Sequence, residues 1–438
     1  MAFKKFAVNS ILVLLSTGLS LVAAEWIFRY MVFSSAPAFK GLKDAGYYAD
    51  PFNEAAYWKL YYLFGGEYGP PADPHPLLGW RGDFKPGSLM HHQAAEVGAR
   101  RPVLLYGDSY AQCMPEVTCF QQLLNTDTAF ARDHFLLNYG TGGYGVDQIA
   151  LLFEQTFLRY ERPVVVFSLM VTDMDRSPLD WRTGQKPYFS IEGDGLRLNG
   201  VPIDPDPAHY VKEHGVGITS YLWRRFLYSK VNFLPDAMKD RLMGWSVSTE
   251  HKKRLNTRIL ERVVERLRAG RVDFVFLVFH YLTPDQPEFM VGNEDNWRDA
   301  MLRDFLKVRD IPYIWSKDLI LADPAWTGTN LDKYMLLDNG HPTTYFNGLI
   351  AQEIGRKVLA MDRDPAWVRP VFAPPSYAER ARQVENAIRA DSAWYASVQG
   401  NAQRYGQTIE ARMAEEAWYT VAEEDDVVKA AVRAAAGN

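Results

Sequence analysis

From residue 101 onward, the pattern of apolar and polar positions predicts short strands that alternate with helices. Short apolar runs bounded by turn-forming residues are typical of buried strands, whereas segments with apolar residues at helical spacing predict amphipathic helices. This alternation indicates a parallel sheet with helices on both faces. The predicted strands are 103–106, 135–137, 163–171, 272–279 and 311–315, and the predicted helices are about 145–160, 248–269, 294–309 and 343–360.

A long insertion, about 174–247, interrupts this pattern after the third strand of the sheet. Within it, Gly193-Asp194-Gly195 between two apolar runs predicts a hairpin, and 221–228 predicts an amphipathic helix. An insertion that follows a strand leaves the sheet at the edge where such folds bind ligands, so it is placed to form a wall or lid over a substrate. Its aromatic residues Trp181, Tyr188 and Trp223 are candidates for stacking on sugar rings or, alternatively, for the core of the insertion.

The first 33 residues differ from the rest. Lys4 and Lys5 precede an apolar stretch that runs to Phe33, long enough for a helix to cross a bilayer. The positive charges predict a cytoplasmic amino terminus, with the remaining chain on the periplasmic or other extracytoplasmic side of the inner membrane. A cleaved signal peptide is the alternative, because residues 22–24 form a permissible cleavage site. Both alternatives export the rest of the chain.

Length and charge narrow the class of protein. At 438 residues the chain exceeds a usual single domain. We expect a membrane anchor or signal peptide (1–33), an extended linker or wrapping segment (34–95), a main α/β domain with the insertion 174–247 (96–373) and a helical extension (374–438). The net charge of −5 argues against nucleic acid as a partner. We expect no cofactor and no metal.

Cys113 and Cys119 are the only cysteines of the chain. In an exported protein they predict a short disulfide loop just after the first motif described below, with two buried thiols as the alternative. Pro115 between them excludes a regular helix through the segment.

Three motifs carry chemistry: Gly107-Asp108-Ser109, Asn138-x-Gly140-x-x-Gly143 and Asp338-x-x-His341-Pro342. The first follows a predicted strand, where open α/β sheets bind ligands. Glycines in the second permit the backbone conformations that direct N–H groups at an oxyanion. Asp338 and His341 share a tight turn, so the carboxylate can hold the imidazole while its other nitrogen faces Ser109.

The order of these motifs resembles the SGNH (GDSL-type) hydrolase superfamily over about residues 96–365. The resemblance implies a flavodoxin-like, three-layer α/β/α sandwich with a five-stranded parallel sheet. It also implies that Ser109 is the nucleophile, that His341 and Asp338 complete a triad, and that Ser109 and Gly143 donate N–H groups to the oxyanion. The family has an Asn in its third block, but this chain has Thr172 there, a shorter donor.

These features predict a serine esterase or O-acyltransferase that acts on acyl esters, O-acetyl groups of envelope or exported saccharides above all. The expected partners are an acylated saccharide or small ester, the membrane, and polysaccharide-synthesis proteins. Water as acyl acceptor gives an esterase and a sugar hydroxyl gives a transferase, and the sequence leaves both open. The alternative is a catalytically weak or inactive saccharide-binding or assembly subunit of a polysaccharide export system.

Overall fold

The structure is a computed structural model, and it describes residues 2–66, 74–82, 97–157, 160, 162–193, 195–229, 248–283, 291–292, 296–361, 377–405 and 408–423. The chain forms two compact units. Unit 1 comprises Met1–Pro70, Trp181–Gln185 and Asp206–Ser248, and unit 2 comprises Pro71–Asp180, Lys186–Pro205 and Thr249–Asn438. The insertion predicted at 174–247 is therefore divided between the two units.

Unit 2 contains a five-stranded parallel sheet with the strand order β4-β3-β5-β8-β9. In order of the chain this is 2-1-3-4-5, the flavodoxin-like order, which reverses direction between β3 and β5. The antiparallel pairs β1–β2 and β6–β7 lie outside this sheet. The strands are β1 (Pro74–His75), β2 (Gly79–Trp80), β3 (Arg101–Gly107), β4 (His134–Gly140), β5 (Val164–Met170), β6 (Tyr188–Glu192), β7 (Gly195–Asn199), β8 (Asp273–Phe279) and β9 (Tyr313–Trp315).

The helices match the amphipathic segments predicted for the sheet domain and add shorter ones around it. Turns of 3-10 helix occupy Pro37–Leu42, Ala45–Tyr47 and Leu331–Lys333. The α-helices are α1 (Ala2–Phe33), α2 (Ala55–Leu63), α3 (Ser109–Gln112), α4 (Phe120–Thr126), α5 (Thr128–Ala131), α6 (Val146–Thr156), α7 (Asp173–Arg176), α8 (Pro207–His214), α9 (Tyr221–Leu227), α10 (Thr249–Ala269), α11 (Trp297–Val308), α12 (Ser316–Ala322), α13 (Thr344–Met361), α14 (Tyr377–Ala390), α15 (Ser392–Tyr405) and α16 (Ile409–Glu423).

Aromatic contacts identify the two helical layers. Phe167 packs on Phe276 of the neighbouring strand and on Phe153 of α6, so that face of the sheet is covered by α6. Phe279 packs on Phe120 of α4. Because Phe276 and Phe279 are three residues apart on one strand, they point to opposite faces. The helices α4 and α6 therefore cover opposite faces, which confirms the predicted three-layer α/β/α class.

Buried ion pairs fix the helices and the hairpin of unit 2. Asp175 of α7 binds Lys252 of α10 at 2.6 Å and Arg298 of α11 at 2.7 Å. Lys186, just before the hairpin, binds Asp147 of α6, and both side chains are fully buried. Such groups must be paired once they leave water, so these contacts determine where the insertion joins the sheet domain.

Unit 1 has a small aromatic core built from α1, α2, α9 and the turns between α1 and α2. Val32, Tyr48, Leu60 and Tyr221 are buried together there. The segment 34–95, predicted as an extended linker or wrapping segment, contains α2 and two turns of 3-10 helix in its first half. The sequence of α2 is apolar on nearly every side, so it has no helical period to detect. Residues 67–73 and 83–95 of that predicted segment lie outside the described residues.

Asn9–Phe33 of α1 is a helical segment of 25 residues with a mean hydropathy of 2.0, and its most apolar 18-residue stretch has no buried residue. By length and composition it is a candidate membrane span or a signal sequence. In the predicted helical extension, α14, α15 and α16 pack around Ile388, Val398 and Met413. Residues 424–438 of that extension lie outside the described residues.

Candidate active site

Ser109 lies at the sharp turn from β3 into α3. Gly107 ends β3 and allows it to pack closely against β5, because a side chain there would come within 2.1 Å of the Ser168 hydroxyl. Asp108 caps α3 by accepting the Tyr110 N–H at 2.9 Å. The turn lies at the carboxyl end of the sheet, beside the point where the strand order reverses, and this is where open α/β folds bind their ligands.

His341 contacts Ser109 across 232 residues of sequence: its Nε2 lies 2.9 Å from the serine Oγ. Its Nδ1 lies 3.1 Å from both the backbone and the side-chain oxygen of Asn339. Amide oxygens only accept hydrogen bonds, so Nδ1 carries the proton. The unprotonated Nε2 therefore faces Ser109, which is the tautomer that a general base needs.

Asp338 does not take the predicted position beside the imidazole. Among the described residues, Asn339 and not Asp338 contacts Nδ1, and the Asp338 side chain is exposed. The cause is the local turn: the Asn339 side chain accepts the His341 N–H at 3.0 Å, which draws the amide under the ring. Gly340, at φ +69°, reverses the chain so that Asp338 lies at its outer tip.

Two backbone N–H groups near Ser109 are available to an oxyanion. Within the described ranges, no acceptor takes the N–H of Ser109 or that of Gly143, which has φ +81°. The loop that carries Gly143 is held by Gln112, whose side chain accepts the Gly142 N–H at 2.8 Å. Asn138 binds the Ala111 carbonyl at 2.7 Å and so fixes α3 against the same loop.

Thr172 follows β5, the neighbour of β3 in the sheet, and is buried. Its hydroxyl donates to the Met170 sulfur at 3.0 Å, and its N–H faces the same sulfur at 3.4 Å. A hydroxyl has one proton to donate. Thr172 can therefore serve an oxyanion only if it leaves Met170.

A buried charged network lies next to Ser109. Arg176 of α7 binds Asp173 at 2.6 Å, the Tyr144 carbonyl at 2.9 Å and Asp108 at 3.4 Å. Burial, and next the Asp108 carboxylate, raises the pKa of Asp173 well above its usual value. The Arg176 guanidinium acts in the opposite direction, because it lies beside both carboxyl groups. The network ties β3, β5 and the glycine loop together.

The imidazole is partly enclosed. The ring of Tyr110 lies 4.9 Å from that of His341, and its hydroxyl donates to the Gly340 carbonyl at 2.5 Å. Burial lowers the pKa of His341, while the Asp108 carboxylate acts in the opposite direction. The imidazole is thus neutral and ready to accept a proton at neutral pH.

The predicted disulfide is confirmed: Cys113 and Cys119 are bonded, with Cα atoms 5.8 Å apart. Cys113 directly follows α3 and Cys119 caps α4. The bond therefore closes the segment that leaves the nucleophile, and it braces the short helix on which Ser109 lies.

Trp80 is a site residue that no sequence signal placed here. Its indole N–H donates to the Gly142 carbonyl at 3.0 Å, and its own carbonyl accepts the Tyr144 hydroxyl at 2.5 Å. Gly142 lies 62 residues further along the chain, so no local sequence pattern indicates this contact. Trp80 thus helps to shape the loop that carries Gly143.

Other candidate residues take structural positions. Trp181 is fully buried in unit 1 against Tyr62 and Tyr210, so the stacking role is wrong for it. His280, which directly follows β8, is a structural histidine as well: it is buried with its Nδ1 2.7 Å from the Ser316 hydroxyl, and burial lowers its pKa well below the usual value. In the part of the chain that the structure describes, no cluster of His, Cys, Asp or Glu has the form of a metal site.

No family model matches the sequence, and no curated protein matches it. Solved structures that it resembles are GDSL-type proteins and acylhydrolases. A member of the lipolytic G-D-S-L family from Veillonella parvula is 10% identical with a TM-score of 0.32, over 60% of this chain and 100% of that one. A lipase/acylhydrolase from Enterococcus faecalis is 12% identical (TM-score 0.32; 60% and 96%). A catalytic mutant of an acetylxylan esterase from Geobacillus stearothermophilus is 11% identical (TM-score 0.32; 60% and 95%).

Proposed function

We propose that this chain is a serine ester hydrolase or O-acyltransferase of the SGNH type. One observation carries the proposal: the Ser109 hydroxyl lies 2.9 Å from His341 Nε2, while Nδ1 faces only acceptors. A serine paired with an imidazole of the correct tautomer, at the carboxyl end of a parallel sheet, is the arrangement that acyl transfer requires.

In the proposed reaction Ser109 Oγ attacks the acyl carbonyl and its proton passes to His341 Nε2. The C–O bond to the alcohol then breaks, and the imidazolium returns the proton to the leaving oxygen. Water or a sugar hydroxyl then attacks the acyl-serine and gives its proton to His341. The acyl C–O bond to Ser109 breaks, the imidazolium returns the proton to Ser109 Oγ, and the acid or the new ester leaves. The N–H groups of Ser109 and Gly143 stabilise the oxyanion in both steps.

Asp338 keeps a place in this proposal, although it does not contact the imidazole in the structure. The Asn339 amide fixes the tautomer of the resting enzyme, but a neutral amide offsets the charge of an imidazolium less than a carboxylate does. Asp338 is three residues from His341, and its side chain is exposed and not packed in the core. We infer that it turns towards Nδ1 when the imidazolium forms.

The substrate class is an acyl ester, with O-acetyl groups of an envelope or exported saccharide as the specific proposal. Its support is the candidate membrane span, which would place the site outside the cytoplasm, where such saccharides lie. Whether water or a sugar hydroxyl accepts the acyl group is measured by supplying both and comparing acetate release with ester transfer.

A fluorescent alkyl phosphonate tests the chemistry directly, because it labels an activated serine covalently. We expect stoichiometric labelling of the full chain at Ser109 and none of Ser109→Ala. Ser168→Ala is the matched control, since that serine is buried near the same turn and donates to the Tyr106 carbonyl. A folded wild-type chain that is not labelled would contradict the proposal.

The second candidate function is a saccharide-binding or assembly subunit without efficient chemistry. The observation that favours it is the Thr172 hydroxyl, which donates to Met170 rather than standing free for an oxyanion. Binding of an acetylated oligosaccharide by calorimetry, together with absence of phosphonate labelling and of acetate release, would favour this candidate.

A further inference from the structure

Helix α9 of unit 1 is joined to the candidate membrane span by a charged contact. Glu25 of α1 accepts the N–H groups of Tyr221 and Leu222 at 2.9 and 3.0 Å and the Ser220 hydroxyl at 2.8 Å. One turn later on the same helix, Arg29 donates to the Thr219 carbonyl at 2.9 Å. The apolar helix α1 therefore caps the amino terminus of α9, which fixes α9 at the level of Glu25.

The surroundings of α1 change at the same level. Before Glu25 its apolar side chains, such as Leu19 and Val22, are exposed. After Glu25 one side of the helix is buried in the core of unit 1 through Val32, which is fully buried. An apolar helix of 25 residues is about 38 Å long, whereas the hydrocarbon core is about 30 Å thick. The last turns of α1, and α9 beside them, thus fall at the membrane surface.

The outer face of α9 is apolar and aromatic. Trp223 and Phe226 stack on each other with ring centroids 5.5 Å apart, and they are 46% and 53% exposed. The two arginines of the helix contact other residues of unit 1. Arg224 binds Glu54 at 2.7 Å, and the Arg225 guanidinium lies 4.0 Å from the centre of the Tyr47 ring. Two large aromatic side chains are thereby left on the side that faces away from the core.

Two more exposed aromatic side chains lie on α1 at this level. Trp26 is 70% exposed and Tyr30 is 72% exposed, and they are one turn apart on the helix. Tryptophan and tyrosine are enriched where a membrane meets water, because their rings are apolar and their N–H or O–H groups are polar. Exposing so many aromatic rings to water would be energetically unfavourable, and large exposed apolar patches usually mark an interaction surface.

We propose that α9 is a membrane-interface helix, and that Trp223 and Phe226 insert into the headgroup region of the same bilayer that α1 crosses. The occupant of this surface is lipid, because the surface is continuous with the apolar helix through the Glu25 cap. The consequence is that unit 1 sits at a fixed depth on the membrane, held by two elements instead of one flexible tether.

The test uses the full chain in lipid nanodiscs and an environment-sensitive fluorophore on one introduced cysteine. The native cysteines are bonded to each other, so only the new thiol reacts. The variants are Trp223→Cys, Phe226→Cys, Trp26→Cys and, as the matched control, Val308→Cys, an apolar residue of unit 2 that is 72% exposed. Nitroxide lipids carry the quencher either high on the acyl chain or near its end.

We expect the shallow nitroxide to quench the fluorophore at 223, 226 and 26 at least about twofold more strongly than at 308, and more strongly than the deep nitroxide does. Equal quenching at 223 and 308 would overturn the proposal. So would mass spectrometry that finds Glu25 as the first residue, because no span would then remain. Self-quenching that rises with the labelled fraction would identify a second copy as the occupant and overturn it as well.

Discussion

The candidate site has a nucleophile side around Ser109 and a base side around His341. The two sides differ in how firmly buried contacts hold them in place. On the nucleophile side Gly107, Gln112, Asn138 and a disulfide hold Ser109 and its glycine loop through buried contacts. On the base side His341 lies in a surface turn whose tip is exposed. In the proposed mechanism the oxyanion donors are therefore held in place before substrate arrives, whereas the partner of the imidazole changes during the reaction.

The largest expected effect comes from removing the reacting hydroxyl on the nucleophile side. Ser109→Ala should lower kcat for a chromogenic acetate ester by more than about 10⁴-fold, because no acyl-serine can form. The melting temperature should stay nearly unchanged, since one partly exposed hydroxyl contributes little to the free energy of unfolding. Turnover within about tenfold of the wild type would show that Ser109 is not the nucleophile.

The second prediction concerns the residues beside His341 on the base side. Asp338→Asn should lower kcat by about 10³-fold, because the imidazolium then loses its carboxylate while the resting contacts of His341 remain. Asn339→Ala is the matched variant and should cost less, since the Asn339 backbone oxygen still accepts from Nδ1 at 3.1 Å. If the order of the two effects is reversed, Asn339 is the working partner and Asp338 has no part in catalysis.

The third prediction tests whether the nucleophile side lacks an oxyanion donor at Thr172. If Thr172 lies at the oxyanion but its hydroxyl is held by Met170, Thr172→Asn should raise kcat about tenfold, because a side-chain amide adds a donor. The effect equals about 1.4 kcal/mol of transition-state stabilisation. A fall in both Thr172→Asn and Thr172→Ala would mean that the threonine already serves the site. Unchanged rates in both would place Thr172 outside the oxyanion hole.

The two sides also differed in how far the sequence predicted them. The strand that leads to Ser109 was visible because a buried parallel strand is a continuous apolar run. The partner of His341 was not, because Asp338 and Asn339 are neighbours and the choice depends on the turn at Gly340. Trp80 was missed for another reason: a contact across 62 residues has no local signal.

The smallest effect links the two sides through pH. Burial lowers the pKa of His341, and only the neutral imidazole accepts the serine proton, so kcat/KM should rise with pH and reach half its maximum below pH 6.5. At pH 6 an ordinary imidazole would be about one quarter neutral, so the retained rate should exceed that fraction.

Asp108, on the nucleophile side, acts against burial and raises the pKa of His341. Asp108→Asn keeps the shape of the side chain and removes its charge, so the half-maximal pH should move lower still. A half-maximal pH above 6.5 in the wild type would show that burial does not control the imidazole. If Asp108→Asn leaves the pH dependence of kcat/KM unchanged, then the nucleophile side positions His341 but does not control its pKa.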